Sequence, residues 1–285
     1  MKLFDASPAD DVVAARIWWR CDRDEDEPFP DDPLAWDHLR HLRESGRMVM
    51  AVSEGGAPMG FGGIVVRSGV TRLADLFIDP AYQGQGVGTA LLRELLRDAT
   101  VMTTSASADP RALPLYVRAG MRPLWPFHFM LGDPRRVDAP SSVVVEAADR
   151  GELVEIDRAA TGFDRATDHE YYEVGCRAQP LRLVSGGRAM GFAYLEPPQP
   201  WAPNRWILLT LAVVPGFDSA DSLRGALAYA GAQGADRLFT AVPGPNPVLG
   251  SLLEAGFVIA EQDMFMATSV DLVDPVRHHY HPGFG

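Results

Sequence analysis

The sequence predicts an α/β protein of the α+β type with two tandem domains, each a mixed, mostly antiparallel sheet flanked by helices. The chain has 285 residues, close to twice a typical domain of about 150 residues. Segments with the periodicity of strands and of helices alternate along it. The order also repeats, because a landmark ending at Gly120 recurs at Gly256 and Pro80 recurs at Pro215, an offset of 135 to 136 residues.

The first half begins with two predicted helices, near 8–20 and 34–45, which are followed by strands. The pairs Gly55-Gly56 and Ser68-Gly69 predict hairpin turns between the first three strands. A glycine-rich loop then leads into a helix with an apolar face. Pro123 and Pro126 are expected to break the closing strand. The predicted strands are 47–53, 59–66, 72–78, 101–104 and 121–131, and the two later helices are 87–98 and 110–119.

The second half repeats this order after a run rich in proline and charge, which is typical of a linker. We expect domains at 1–132 and 143–270, a linker at 133–142 and a carboxy-terminal tail at 271–285. The histidines of that tail lack the spacing of structural zinc ligands, so we expect an exposed tail and no metal site. The predicted helices are 150–160, 168–177, 219–232 and 247–255, and the predicted strands are 181–184, 189–195, 206–213, 237–241 and 257–268.

Composition excludes several classes of function. The formal charge of -12 opposes a general affinity for nucleic acid, which depends on many cations. Two cysteines without a Cys-x-x-Cys pair predict a reducing, cytoplasmic environment. The longest apolar stretch, 206–214, is too short to span a bilayer, and the amino terminus lacks a signal-peptide core. We expect no membrane and no nucleic-acid partner, and the oligomeric state stays open.

The most informative segment is the loop at residues 75–92, which reads DLFIDPAYQGQGVGTALL. An apolar strand stops at Pro80, and an amphipathic helix begins after three glycines. Free backbone N–H groups and the positive end of the helix dipole meet there, which suits an anion such as a pyrophosphate. The spacing is neither the dinucleotide fingerprint nor an NTPase phosphate loop. From glycine content alone, a connection that binds no ligand is an equally good interpretation.

Two motifs narrow the choice. Gln83, Gly86 and Gly88 form Gln-x-x-Gly-x-Gly after a strand ending in Phe-Ile-Asp-Pro, and the segment 115–121 reads LYVRAGM. Together, in this order, they closely resemble the acyl-CoA-binding motif and a later helix end of the GNAT superfamily of N-acetyltransferases. The resemblance covers residues 1–131. It implies direct transfer of an acetyl group from acetyl-CoA, as co-substrate, to an amine, with no metal.

The resemblance also implies roles for individual residues. The backbone of Leu76, Phe77 and Ile78 would pair with the pantetheine arm, and the Ile78 N–H would stabilise the oxyanion. Tyr116 would be the general acid, because a phenol with a pKa near 10 keeps its proton at pH 7; a core aromatic residue is the alternative. The amides that would hold the pyrophosphate are those of Gln83, Gly84, Gln85, Gly86, Val87, Gly88 and Thr89.

Two positions depart from the family pattern. Asp109 lies nearest the place of an asparagine that contacts the pantetheine, and an ionised carboxylate cannot donate a hydrogen bond. Arg72 stands close to the place of a glutamate that serves as general base in many members. Asp75 is then the nearest carboxylate that could take the proton of the amine, although strand alternation leaves open which face it occupies.

The second half lacks the residues of this chemistry. At the repeat offset Asp218 and Asp221 replace Gln83 and Gly86, and Leu252 replaces Tyr116. We interpret it as a degenerate GNAT-like copy that packs against the first and shapes the acceptor site.

The acceptor is predicted from charge alone. Residues 22–32 carry seven carboxylates against one arginine, which would attract a cationic small-molecule amine; a solvated loop is the simpler interpretation. A non-catalytic acetyl-CoA-binding regulatory or interaction module is the alternative function. Another short acyl group is equally compatible with the loop.

Overall fold

A computed structural model describes residues 1–22, 28–30, 36–200 and 202–279. The strands in this part are β1 (Lys2–Asp5), β2 (Arg47–Val52), β3 (Pro58–Arg67), β4 (Val70–Ile78), β5 (Met102–Ala106), β6 (Arg122–Gly132), β7 (Val144–Ala147), β8 (Gln179–Ser185), β9 (Arg188–Glu196), β10 (Trp206–Val213), β11 (Leu238–Pro243), β12 (Val258–Ala267) and β13 (His278–His279). The helices are α1 (Asp11–Asp22), α2 (Asp37–Ser45), α3 (Val87–Leu95), α4 (Ala112–Arg118), α5 (Arg150–Thr161), α6 (Ala166–Glu170), α7 (Ser219–Ala232) and α8 (Val248–Glu254).

The described strands form one continuous sheet. Its order is β1-β2-β3-β4-β5-β12-β6-β11-β10-β9-β8-β7, with β13 paired to β10 outside this path. Neighbours are antiparallel except β4 with β5 and β10 with β11, which are parallel. The predicted fold class is therefore confirmed, and the single parallel pair occupies the same place in each half.

The two halves exchange their closing strands. β6 of the first half lies between β11 and β12, whereas β12 of the second half lies between β5 and β6. The predicted boundaries at 132 and 143 stay a prediction, since the sheet continues across both halves.

Helices cover both faces of this sheet because successive strand residues point to opposite sides. In β2, Val49 packs with α3, whereas Met50 packs with α1 and α2 on the other face. In β10, Leu211 packs with α7 and Ala212 packs with α5.

A buried ion network joins α2 and β3 to α6. Asp168 is fully buried and accepts two hydrogen bonds from Arg67, at 2.7 and 2.6 Å, and lies 2.9 Å from His41 Nε2. Burial opposes ionisation, but the bonds from Arg67 and His41 hold the pKa of Asp168 below its usual value. The network fixes α2 relative to the second half.

Three local predictions were wrong. β1 and β7 are edge strands of four residues that were not predicted. Pro123 and Pro126 do not end β6, which runs unbroken from 122 to 132 with an irregular register near Pro123. The tail is not exposed at His278 and His279, which are 3% and 2% exposed and form β13.

Candidate functional site

The parallel strands β4 and β5 separate and leave a cleft in the first half. They pair only from Thr71 to Leu73, opposite Met102 to Thr104. A β-bulge follows at once, because Gly63 pairs with Asp75 and Ile64 with Leu73, so that Ala74 has no partner on β3. A bulge bends its strand and strengthens the local twist. β4 therefore turns away from β5 from Ala74 onward.

The edge of β4 that faces this cleft presents free backbone donors. The Asp79 N–H donates to Met59 of β3 at 3.0 Å. Because hydrogen-bonding residues alternate along an antiparallel ladder, the backbone of Phe77 pairs with β3, whereas Leu76 and Ile78 direct their N–H groups into the cleft. Of the three predicted backbone contacts, two therefore face the cleft.

The glycine loop lies at the open end of the same cleft. Gly84 and Gly86 have φ of 75° and 82°, in the left-handed region that favours glycine. Gly86 is the N-cap of α3. Its carbonyl accepts a hydrogen bond from the Ala90 N–H. Outside the helices, the described part of the chain shows no backbone hydrogen bond donated by the amides of residues 84–89. They form an exposed group of N–H donors at a helix N-terminus, suited to an anion.

Gln83 ties the loop to the strand. Its Nε2 donates to the Ile78 carbonyl at 3.0 Å, and its Oε1 accepts from Arg111 at 2.8 Å. Arg111 also forms a bidentate pair with Asp109, and these bonds lower the pKa of Asp109. Asp109 therefore acts as an acceptor toward Arg111. The donor that the family's asparagine would supply is missing here.

Tyr116 lies in α4, is 6% exposed and belongs to the apolar cluster against which Leu76 and Ile78 pack. Burial raises its pKa, and nearby negative charge from Asp263, Asp75 and Asp109 raises it further. The phenol consequently holds its proton at neutral pH. It can donate that proton to a leaving group.

Asp75 lies on the α2 face of the sheet beside His38. Its Oδ2 is 3.6 Å from His38 Nε2 and has no hydrogen-bond partner among the described residues. α2 comes this close because residue 63 is glycine, where a Cβ would stand 2.3 Å from the Leu42 side chain. Burial raises the pKa of Asp75 and lowers that of His38, so the pair favours its neutral forms and can accept a proton.

One carboxylate close to Tyr116, that of Asp263, could not be predicted from the sequence. Asp263 belongs to β12 of the second half, one position beyond the Met264–Ala106 register pair. It stands opposite Phe127 on β6 and close enough to Tyr116 to influence its pKa. No local signal could have identified it, because only the exchange of closing strands brings it here. Of the acidic run at 22–32, residues 23–27 and 31–32 lie outside the described residues, as does the side chain of Asp22.

The corresponding loop of the second half is built differently. Asp218 is the N-cap of α7, and its carboxylate accepts from the Asp221 N–H at 2.9 Å. A carboxylate of the chain therefore already accepts a hydrogen bond from one of the N–H groups at the start of this helix. Leu252, at the place of Tyr116, is fully buried in the core. Neither residue offers an anion site or an acid.

Comparison with known proteins agrees with this geometry. Residues 13–121 match the model of the Acetyltransferase (GNAT) family. N-alpha-acetyltransferase RimI of Mycobacterium tuberculosis is 34% identical over 105 residues, which cover 34% of this chain and 63% of that protein. The chain thus spans less than two thirds of the curated relative that it matches.

Two solved structures show the same fold over nearly the whole chain. A putative acetyltransferase from Pyrococcus horikoshii has a TM-score of 0.77 at 19% identity and covers 100% of this chain and 95% of its own. A tandem GNAT protein from the clavulanic acid biosynthesis pathway has a TM-score of 0.63 at 16% identity. The match covers 93% of this chain and 97% of that protein.

None of the helices in the described residues combines the length and apolar character needed to cross a membrane. Nor do the described residues contain a group of three or more histidine, cysteine or acidic side chains that could hold a metal ion.

Proposed function

We propose that this chain, which carries a GNAT acetyltransferase domain in its amino-terminal half, transfers an acetyl group from acetyl-CoA to a primary amine of a small cationic molecule. One arrangement supports the proposal: the edge of β4 beyond Leu73, the glycine loop before α3 and the Tyr116 side chain all adjoin one apolar cluster. The N–H groups of Leu76 and Ile78 would bind the pantetheine arm. The amides from Gln83 to Thr89 would bind the pyrophosphate.

Acetyl-CoA would supply an activated thioester at the inner end of the cleft. The Ile78 N–H is a fixed donor that can stabilise negative charge on a carbonyl oxygen bound beside it. Tyr116 would give its phenolic proton to the departing thiolate. The Asp75–His38 pair would take the proton of the attacking amine from the opposite side of the sheet.

The acceptor class rests on charge. Asp263 lies close enough to Tyr116 to raise its pKa, so its carboxylate would attract a cationic amine toward the phenol. Asp263 comes from β12, and we therefore propose that the second half contributes to acceptor binding. RimI is named as an N-alpha-acetyltransferase, and peptides with a free α-amine accordingly belong among the amines tested. The low cysteine content supports a cytoplasmic location.

Release of free thiol tests the activity and separates it from the alternative of a non-catalytic binding module. The full chain with acetyl-CoA and a panel of amines should release CoA, and Tyr116→Phe should lower kcat about a hundredfold with KM for acetyl-CoA unchanged. Tyr229→Phe is the matched control, because its hydroxyl accepts one hydrogen bond from Gln179 in the second half. CoA affinity without turnover would instead identify a binding module.

Asp263→Asn tests the acceptor class. KM for a dicationic amine should rise about tenfold, which corresponds to about 1.4 kcal/mol, whereas KM for an amine that bears no second charge should stay the same. Glu261→Gln is the control, because Glu261 is an exposed carboxylate on the same strand. Equal effects of the two substitutions would contradict the proposed role of Asp263.

A further inference from the structure

The second half contains the same kind of cleft as the first, but the chain itself fills it. β10 and β11 pair from Trp206 to Leu208, opposite Leu238 to Thr240. Where the first half leaves its strand edge open, β13 lies antiparallel to β10, with His279 opposite Leu211 and His278 opposite Ala212.

The backbone contacts occur at equivalent positions. The Val214 N–H donates to Met190 of β9 at 2.7 Å, so alternation directs the N–H groups of Leu211 and Val213 away from β9 and into the cleft. At the repeat offset of 135 these two residues correspond to Leu76 and Ile78. The Val213 N–H donates to the Arg277 carbonyl at 3.0 Å. The carboxy-terminal segment thus takes a donor whose counterpart at Ile78 has no acceptor among the described residues.

Asn246 holds this segment from the other side of the cleft. Its Nδ2 donates to the Val276 carbonyl at 2.6 Å and lies 2.8 Å from His279 Nε2. Its Oδ1 accepts the N–H of Val248, two residues ahead. Asp109 makes the same local turn with Arg111 in the first half. The two residues are therefore structural counterparts, and the second half has a donor where the first has a carboxylate.

Further contacts fix the segment at both ends. The Thr210 hydroxyl donates to the His279 carbonyl at 3.0 Å. Arg277 pairs with Asp274 at 2.8 Å and donates to the Val213 carbonyl at 3.3 Å. Both histidines are almost completely buried. The two-residue strand β13 is thus buried and hydrogen-bonded by side chains and backbone of the second half, as expected for a segment bound in a specific site.

We propose that the cleft of the second half is a binding site for an extended peptide strand, and that its ligand is the chain's own carboxy-terminal segment at residues 274–279. The site binds the segment through backbone donors and acceptors of β10 and through the Asn246 side chain. Asn246 contacts one carbonyl and one imidazole of the bound segment. This is strand addition to a sheet edge, carried out within one chain. Because β13 occupies this edge of β10, and if the proposed function holds, we expect each chain to bind a single acyl carrier in the first half.

Hydrogen exchange of the full chain tests the proposal. The Val213 amide should be strongly protected, and Asn246→Ala should raise its exchange rate at least tenfold while urea unfolding shows a folded protein. Asn204→Ala is the matched control, since Asn204 is the chain's only other asparagine and is exposed. An unprotected Val213 amide in the unmodified chain, or equal exchange in the two variants, would overturn the proposal.

A second arm supplies the ligand separately. A chain that ends at Asp274 should bind a synthetic peptide of residues 275–285 with one-to-one stoichiometry and regain protection at Val213, whereas a scrambled peptide should not bind. If that shortened chain does not fold, the exchange comparison of the full-length variants decides. Calorimetry should also give one CoA site per full-length chain, and two sites would refute a filled second cleft. Failure to bind any CoA would refute the proposed function and leave the exchange result standing.

Discussion

Replacement of Gly86 by alanine separates the anion-binding role of the glycine loop from its role in the fold. Gly86 has a φ of 82°, and a Cβ built there would meet no atom within 4 Å. The substitution therefore introduces no clash, and its cost is the left-handed conformation of a residue with a side chain, about 1–2 kcal/mol. For a chain of this size that lowers Tm by about 2–8 °C.

Gly56→Ala provides a matched control for this strain. Gly56 has a φ of 85°, lies in the turn between β2 and β3, and also has open space around a Cβ. The two substitutions should lower Tm by similar amounts. Only Gly86→Ala should weaken CoA binding, because relief of the strain rotates the amides at the start of α3. Loss of one hydrogen bond to a charged group costs about 1.5–3 kcal/mol, equivalent to a roughly ten- to hundredfold higher Kd.

Calorimetry with two ligands makes the test specific. CoA should bind the Gly86 variant more weakly than the Gly56 variant, whereas pantetheine, which lacks the pyrophosphate, should bind both equally. Equal CoA affinities for the two variants would show that the loop amides do not hold the phosphates.

Two other predictions concern the proton acceptor and the link between the halves. Because burial lowers the pKa of His38 below 6.5, kcat/KM should rise with pH below about 6.5 and be independent of this group above it; His38→Gln should abolish that limb of the pH–rate profile, and an unchanged profile would exclude the pair as the base. Asp168→Asn leaves the buried Arg67 guanidinium without its counter-ion, so urea unfolding should show a loss of about 3–5 kcal/mol. A loss below 1 kcal/mol would mean that the network does not stabilise the junction.

Local signals were sufficient for much of the fold and for one wall of the site. Hairpin turns, helix periodicity and the repeat offset depend on neighbouring residues, so the order of elements and the fold class could be predicted. The glycine loop and Tyr116 were predicted in the same way. The GNAT resemblance predicted from these motifs is confirmed by the family match to residues 13–121; the roles of individual residues stay predictions.

Other features depend on contacts between distant segments. The exchange of β6 and β12 changes no local pattern, since either partner would bury the same apolar face. Asp263 could therefore not be assigned to the first cleft. The segment around His278 is flanked by prolines and has no strand periodicity. It becomes a strand only because β10 offers an unpaired edge. The bulge at Ala74 likewise depends on its partner strand and decides the face that Asp75 occupies.

The interleaving of β6 and β12 links the two halves of the gene, because each half encodes a strand that lies within the sheet of the other. A gene cut after the first copy would encode a polypeptide whose β5 lacks a neighbour and whose closing strand has lost both of its own. The second half would therefore be retained for the strands that it contributes to the sheet. Its loops and strand ends could then change while β11 and β12 continue to flank β6.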